Sequence, residues 1–338
     1  MQQDYKRCRE NPSAQDPRQC AWSVCTGRKR KGKGIMALNR LRGNFHTHTV
    51  FCDGSNTAQE MAEQALALGF THLGFSGHMD PDIRMDLAAY DAEIRRLQAL
   101  YRQKEEETGV PETVAARGAE NDHALDILRG VELDGIYETQ SSGEKQLLDG
   151  MDYLIGSTHF IESPSGGRLG SVDDTPERLQ QFCREEFGGD YYRLSRAYYE
   201  TEAKIFERTG CTFVGHFDLV TRFNDDLRFL DENDPRYYLP ALETMELLVS
   251  KGLPFEINCG AFNRGRKAEL YPNRFLLRHL RELGGQILIN SDAHQKELLD
   301  GGFEAAVRTA VECGFTHTIF LEHDRKGDVV RRLVPLDL

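Results

Sequence analysis

The chain has 338 residues, 39% of them hydrophobic, and a formal net charge of −12. That length supports one large core, and the acid excess argues against a nucleic-acid-binding surface, which normally presents a basic face. No apolar run is long enough to span a bilayer and no secretory h-region is present, so no membrane partner is expected.

The charge is uneven. Residues 1–35 hold nine Lys/Arg against three Asp/Glu, end in Arg28-Lys29-Arg30-Lys31-Gly32-Lys33-Gly34, and show no hydrophobic periodicity. A basic nucleic-acid or targeting tail is one reading. The reading adopted is a disordered leader or a non-native extension upstream of a natural start at Met36, with residues 36–338 as a single domain. Eight cysteines without any C-x-x-C pattern suit a reducing, cytoplasmic setting.

From Gly43 onward, strand-like and helix-like runs alternate. A first short run ends at His46. Thr57 to Leu68 is predicted helical, with Ala58, Met61, Ala62, Ala65 and Leu66 on one face and Gly69 as its stop. A strand follows over 71–75, then a helix over 86–107 with Tyr90, Ile94, Leu97 and Tyr101 as its apolar stripe. Strands are predicted over 127–133 and 152–159. Residues 175–209 read as largely helical, broken near Gly188-Gly189. Further strands are predicted over 212–216, 254–258 and 286–290, with 317–321 as an eighth or edge strand. The stretch Gly69-Phe70-Thr71-His72 is echoed by Gly314-Phe315-Thr316-His317, read as a recurring helix-to-strand junction. Repeated βα units imply an α/β fold with a parallel sheet closing into a TIM-like (β/α)7–8 barrel.

Nearly every predicted strand ends on a potential metal ligand. His46 and His48 close the first; His78, Glu132, His159, His216, Asp292 and His294 close later ones, and His323 stands in a similar place without a motif of its own. The carboxyl end of a parallel barrel is where such folds keep their chemistry. Residues i and i+2 of a strand share a side, so His46 and His48 can grip one ion. Imidazole with carboxylate suits divalent transition metals, and no cysteine joins the set. His72 and His317 fall at the N-terminal ends of their strands and are read as structural. His123 is read as a loop bystander and His279 as a surface helix residue.

The ordered motifs His46-Thr47-His48, Asp53-Gly54, Gly77-His78, Gly130-Val131-Glu132, Ser157-Thr158-His159, Gly215-His216-Phe217-Asp218 and Ser291-Asp292-Ala293-His294 resemble those of the PHP (polymerase and histidinol phosphatase) superfamily. The resemblance spans roughly residues 43–325. It implies a distorted barrel of seven βα units holding two or three divalent ions: zinc, iron or manganese. His46, His48, Glu132 and Asp292 would hold the first. Glu132 would bridge to a second, completed by His159 and His216. Asp53, His78 and His294 would hold the third.

Asp53, where some relatives carry histidine, resembles the histidinol-phosphatase branch, as do Ser76-Gly77-His78-Met79 and the insertion between His78 and Glu132. That implies hydrolysis of a small phosphate monoester, L-histidinol phosphate, in histidine biosynthesis. The attack would come from a hydroxide bridging two ions. The alternatives are a phosphoesterase acting on phosphotyrosine, nucleotides or oligonucleotides, a polymerase-associated proofreading module, and a non-catalytic binding domain. Arg222 and Arg264, with Arg266 behind them, are candidate phosphate ligands. Asp53, or a water on the third ion, is the candidate proton source for the leaving group. Asp218 is expected to steady His216, Asn258 to orient a ligand, Cys259 to pack, and Glu162 to face the substrate amine.

Overall fold

The computed structural model describes residues 41–108 and 125–336. The leader and His123 therefore lie outside the described residues. The elements run in chain order as β1 (Gly43–Asn44), α1 (Ala58–Ala67), β2 (His72–Phe75), β3 (His78–Met79), α2 (Leu87–Thr108), β4 (Asp126–Asp134), α3 (Ser142–Asp149) and β5 (Tyr153–Ser157). Next come β6 (Phe160–Glu162), β7 (Leu169–Ser171), α4 (Pro176–Phe187), α5 (Tyr191–Glu202), α6 (Ile205–Thr209), β8 (Phe213–Val214) and α7 (Asn224–Leu227). The remainder is α8 (Pro235–Ser250), β9 (Phe255–Asn258), α9 (Gly260–Asn263), α10 (Arg274–Glu282), β10 (Ile287–Asn290), α11 (Phe303–Glu312), β11 (His317–His323) and β12 (Val329–Pro335). No described helix is long and apolar enough to cross a membrane.

Local chemistry sets many of these boundaries. Thr57 caps α1 in a reciprocal capping box with Glu60, and Gly69 ends the turn beyond it at φ 75°. The predicted break at Gly188-Gly189 separates α4 from α5, and a second break at Ala203-Lys204 precedes α6.

Seven parallel strands pair in the order β1-β2-β4-β5-β8-β9-β10, with β3 added alongside β4. Closure comes from a parallel bridge between Thr47 and Ala293, where the His48 N–H donates to Ala293 O at 2.9 Å. The result is a nearly closed barrel with helices outside. Its interior is filled. Tyr153 lies across the barrel, donating its hydroxyl to Phe45 O at 2.8 Å and stacking on Phe213 at 6.0 Å between centroids. Its ring explains two glycines: a Cβ at Gly130 would lie 2.2 Å from the ring, and one at Gly74 would lie 2.3 Å from the hydroxyl.

The segment predicted as an eighth or edge strand is neither in the barrel nor parallel. β11 pairs antiparallel with β12, and this hairpin lies across the N-terminal ends of the barrel strands. Thr318 Oγ1 donates to Ile287 O, Arg331 to Thr212 O, and the His323 N–H to Asp126. His323 is therefore at the opposite end from the proposed chemistry, not at its edge. The Asp126 and then the Asp152 carboxylates raise its imidazole to about 9. A pKa raised on folding stabilises fully below the ordinary histidine value of about 6.5 and fades as pH rises through the folded value. Calorimetric Tm should thus decline between about pH 6.5 and 9, and His323→Gln should flatten that decline. Superimposable pH profiles would show that the pair contributes nothing.

Candidate metal centre

At the carboxyl ends of the strands the residues singled out from sequence converge. His46 and His48 follow β1 with rings 5.2 Å apart, and both face Asp292 Oδ1, at 3.8 and 3.1 Å. The register His78↔Glu132 sets β3 against β4. Glu132 is buried at the centre. Its Oε1 lies 2.7 Å from His216 Nε2 and 3.0 Å from His159 Nε2, and accepts a hydrogen bond from Ser157 Oγ at 2.7 Å. Its Oε2 lies 3.0 Å from His78 Nδ1, 3.1 Å from His46 Nε2 and 3.5 Å from His48 Nε2. Asp53 sits toward the outside, 3.0 Å from His294 Nε2.

Four overlapping groups result, each with ligand atoms within 4.8 Å of one another: His48, Asp53, His78 and His294; His46, His48 and Asp292; His46, Glu132 and His216; His78, Glu132 and His159. All nine predicted ligands are included. The groups share His46, His48, His78 and Glu132, so they form one contiguous cluster.

The donor set fits divalent ions. His46 Nε2, His48 Nε2, His78 Nδ1 and Glu132 Oε2 are buried without a hydrogen-bond partner although they face one another at close range. Convergent lone pairs left unpaired inside a protein are unfavourable unless a cation lies among them. The imidazoles are pulled in two directions: burial, then the neighbouring His294 and His78, push His48 down to about 3, whereas the surrounding carboxylates outweigh burial and raise His46, His78 and His159. Burial opposes ionisation of Glu132, but His46, His78 and His159 outweigh it and hold the carboxyl well below its ordinary range.

Two supporting carboxylates escaped the sequence reading. Glu256, on β9, is fully buried and bonds His46 Nδ1 at 2.7 Å. It also accepts from the His216 N–H and from the side-chain amides of Asn258 and Asn290. Asp173, after the β6–β7 hairpin, lies 3.2 Å from His159 Nδ1 and 3.5 Å from Arg222. The signal for Glu256 was a lone acid in an otherwise uncharged strand, Phe255-Glu256-Ile257-Asn258. Asp173 had none, because the hairpin carrying it was not foreseen.

Asp218 does not steady His216: it accepts from the Asn273 N–H, and His216 Nδ1 has no partner. Asn258 orients Glu256, Cys259 is buried, and Glu162 is exposed on β6. His72 and His317 lie at the N-terminal ends of β2 and β11, and His279 makes a 3.5 Å contact with Glu246.

Above the cluster opens a cavity of about 310 Å³, lined by Asp53, His78, Glu132, His159, Asp173, His216, Tyr271, Asp292 and His294, and by Arg222, Arg264 and Arg266. Arg264 contacts His294 Nδ1 at 2.9 Å and Asp292 Oδ2 at 3.5 Å. Burial and the two neighbouring arginines lower the Arg266 pKa, a sign of concentrated positive charge.

Fold and site together define a parallel βα barrel with a candidate multinuclear metal centre on its catalytic face. The chain belongs to the PHP domain family, whose profile matches residues 44–260. It is 31% identical over 275 residues to the "Probable histidinol-phosphatase" of Deinococcus radiodurans, covering 80% of this chain and 92% of that one. The "Probable histidinol-phosphatase" of Schizosaccharomyces pombe is 27% identical over 295 residues, covering 85% and 92%. Among solved structures, histidinol phosphate phosphatase from Lactococcus lactis, complexed with zinc, L-histidinol and phosphate, aligns with a TM-score of 0.61 at 22% identity, over 86% of this chain and 98% of that one.

Proposed function

We propose that this protein is a metal-dependent phosphatase that hydrolyses L-histidinol phosphate to L-histidinol and inorganic phosphate, a cytoplasmic step of histidine biosynthesis. The observation that carries this reading is one buried carboxylate, Glu132, ringed by five imidazoles beneath an arginine-lined cavity. The names of the Deinococcus and Schizosaccharomyces relatives and the ligands of the Lactococcus protein support the substrate. The cavity volume suits a small ester.

By the family's pattern His46, His48, Glu132 and Asp292 would hold a first ion, Glu132, His159 and His216 a second, and Asp53, His78 and His294 a third. Zinc, manganese and iron all accept these nitrogen and oxygen donors. When bound, such ions supply Lewis acidity and a water of lowered pKa. Arg222 and Arg264 hold the phosphate oxygens, as a planar guanidinium does well. Asp53, whose side chain is 40% exposed, is the most accessible carboxylate of the cavity. Burial opposes its ionisation, but His294, His48 and His78 outweigh it and hold Asp53 ionised, so a water on the ion it would share with His78 and His294 would supply the proton for the leaving oxygen.

The test is phosphate release from L-histidinol phosphate, phosphotyrosine, nucleoside monophosphates and single-stranded DNA, with and without prior chelation. Histidinol phosphate should give the highest kcat/KM, and chelation should abolish it. Preference for another ester would overturn the substrate, and full activity after complete metal removal would overturn the chemistry.

A further inference from the structure

Three donors on two loops of this cavity have nothing to bind. Arg222 Nε, Arg264 Nε and the Tyr271 hydroxyl are all buried without a hydrogen-bond partner, and all three residues line the cavity above Glu132. Folding should not leave several donors unpaired in one place unless a ligand completes them. The arginines answer to an anion. Tyr271 has no role so far, and its ring alone would serve for packing.

We propose that the Tyr271 hydroxyl is a substrate-binding donor that completes, with Arg222 and Arg264, the cradle for the phosphoryl group. The inference rests on the phosphoesterase reading above. The backbone fixes the residue firmly: the Asn258 N–H donates to Tyr271 O at 2.8 Å, and the Tyr271 N–H returns to Asn258 O at 3.2 Å. The Lys267 ammonium sits 5.7 Å from the ring centroid, and the His216 ring meets it near-perpendicular at 6.5 Å. The hydroxyl is thus anchored to the same strand end that carries Glu256 and Asn258. A phenol donates a directed hydrogen bond without adding charge. It therefore complements the two guanidinium groups as negative charge shifts among the phosphoryl oxygens.

Tyr271→Phe isolates the hydroxyl, because the ring and its packing remain. In the zinc-loaded protein, calorimetric titration with inorganic phosphate should show affinity reduced about tenfold or more, the scale of a hydrogen bond to a charged acceptor. The kcat/KM for histidinol phosphate should fall at least as far. Metal content should be unchanged, and Tm without phosphate should hold or rise, since an unpaired buried hydroxyl has been removed. Phosphate affinity within about twofold of wild type overturns the proposal. So does a loss of affinity that arrives with a lower Tm or lost metal, which marks the hydroxyl as structural. If the wild type binds phosphate but ignores histidinol phosphate, the substrate assignment fails while the binding comparison still decides the role of Tyr271.

Discussion

Replacing Glu132 with glutamine should lower kcat by several orders of magnitude, more than it raises KM. Both carboxylate oxygens are used: Oε1 faces His159 and His216, and Oε2 faces His46, His48 and His78. The amide retains one acceptor and turns two hydrogens toward imidazole nitrogens. It also removes the negative charge around which the cluster is built. Metal content by elemental analysis should fall with kcat. Circular dichroism should remain native, because Glu132 supports the site and not the hydrophobic core. Near-normal kcat in Glu132→Gln with a full complement of metal would show that the carboxylate does not organise the reaction.

Replacing Glu256 with glutamine should be nearly as damaging by a different route. Each oxygen of this carboxylate takes two donors: His46 Nδ1 and the Asn290 amide on Oε1, the His216 N–H and the Asn258 amide on Oε2. Whichever way glutamine is turned, its NH2 meets two groups that also donate. Unpaired buried donors cost about 1–3 kcal/mol each, so a stability loss of about 2–4 kcal/mol is expected. Because Glu256 holds His46 by the nitrogen turned away from the cluster, metal affinity should drop about 10–100-fold. Denaturant unfolding with and without zinc separates the two effects. An unchanged zinc dissociation constant would limit Glu256 to a structural role.

Much of the barrel was legible because its signals are local. An apolar run ending in histidine, a helix stripe at 3.6-residue spacing and a glycine stop each lie within a dozen residues. The strands around β2, β4, β5, β9 and β10 and the helices α1 and α2 follow accordingly. The parity of a strand placed His46 and His48 on one side, and both face Asp292. Support for the imidazoles was not local. Asp218 is two residues from His216, but the 3₁₀ turn at Leu219–Thr221 carries the chain away, and Asp218 pairs instead with the backbone of Asn273. Glu256, on β9, reaches past β10 to His46, 210 residues away in sequence.

The two glycine junctions separate the features that sequence determines from those that the tertiary structure decides. At Gly69 and Gly314 the chain makes the same helix stop at positive φ, the phenylalanine N–H just after it donates to the helix, and a threonine hydroxyl meets the next histidine: Thr71 with His72 at 2.8 Å, Thr316 with His317 at 2.9 Å. Sequence alone determined that junction, because every contact in it spans a few residues. Sequence also placed ligand residues at the strand ends, because strand length and side alternation are local properties. The strands leaving the two junctions have different fates. β2 enters the barrel between β1 and β4, whereas β11 folds back on β12 across the barrel's N-terminal end. Only the tertiary structure decided this. A strand's partners are chosen by which edges remain unpaired once the barrel closes through Thr47 and Ala293, and that closure left β11 to pair with β12, carrying His323 to the face opposite the candidate metal ligands.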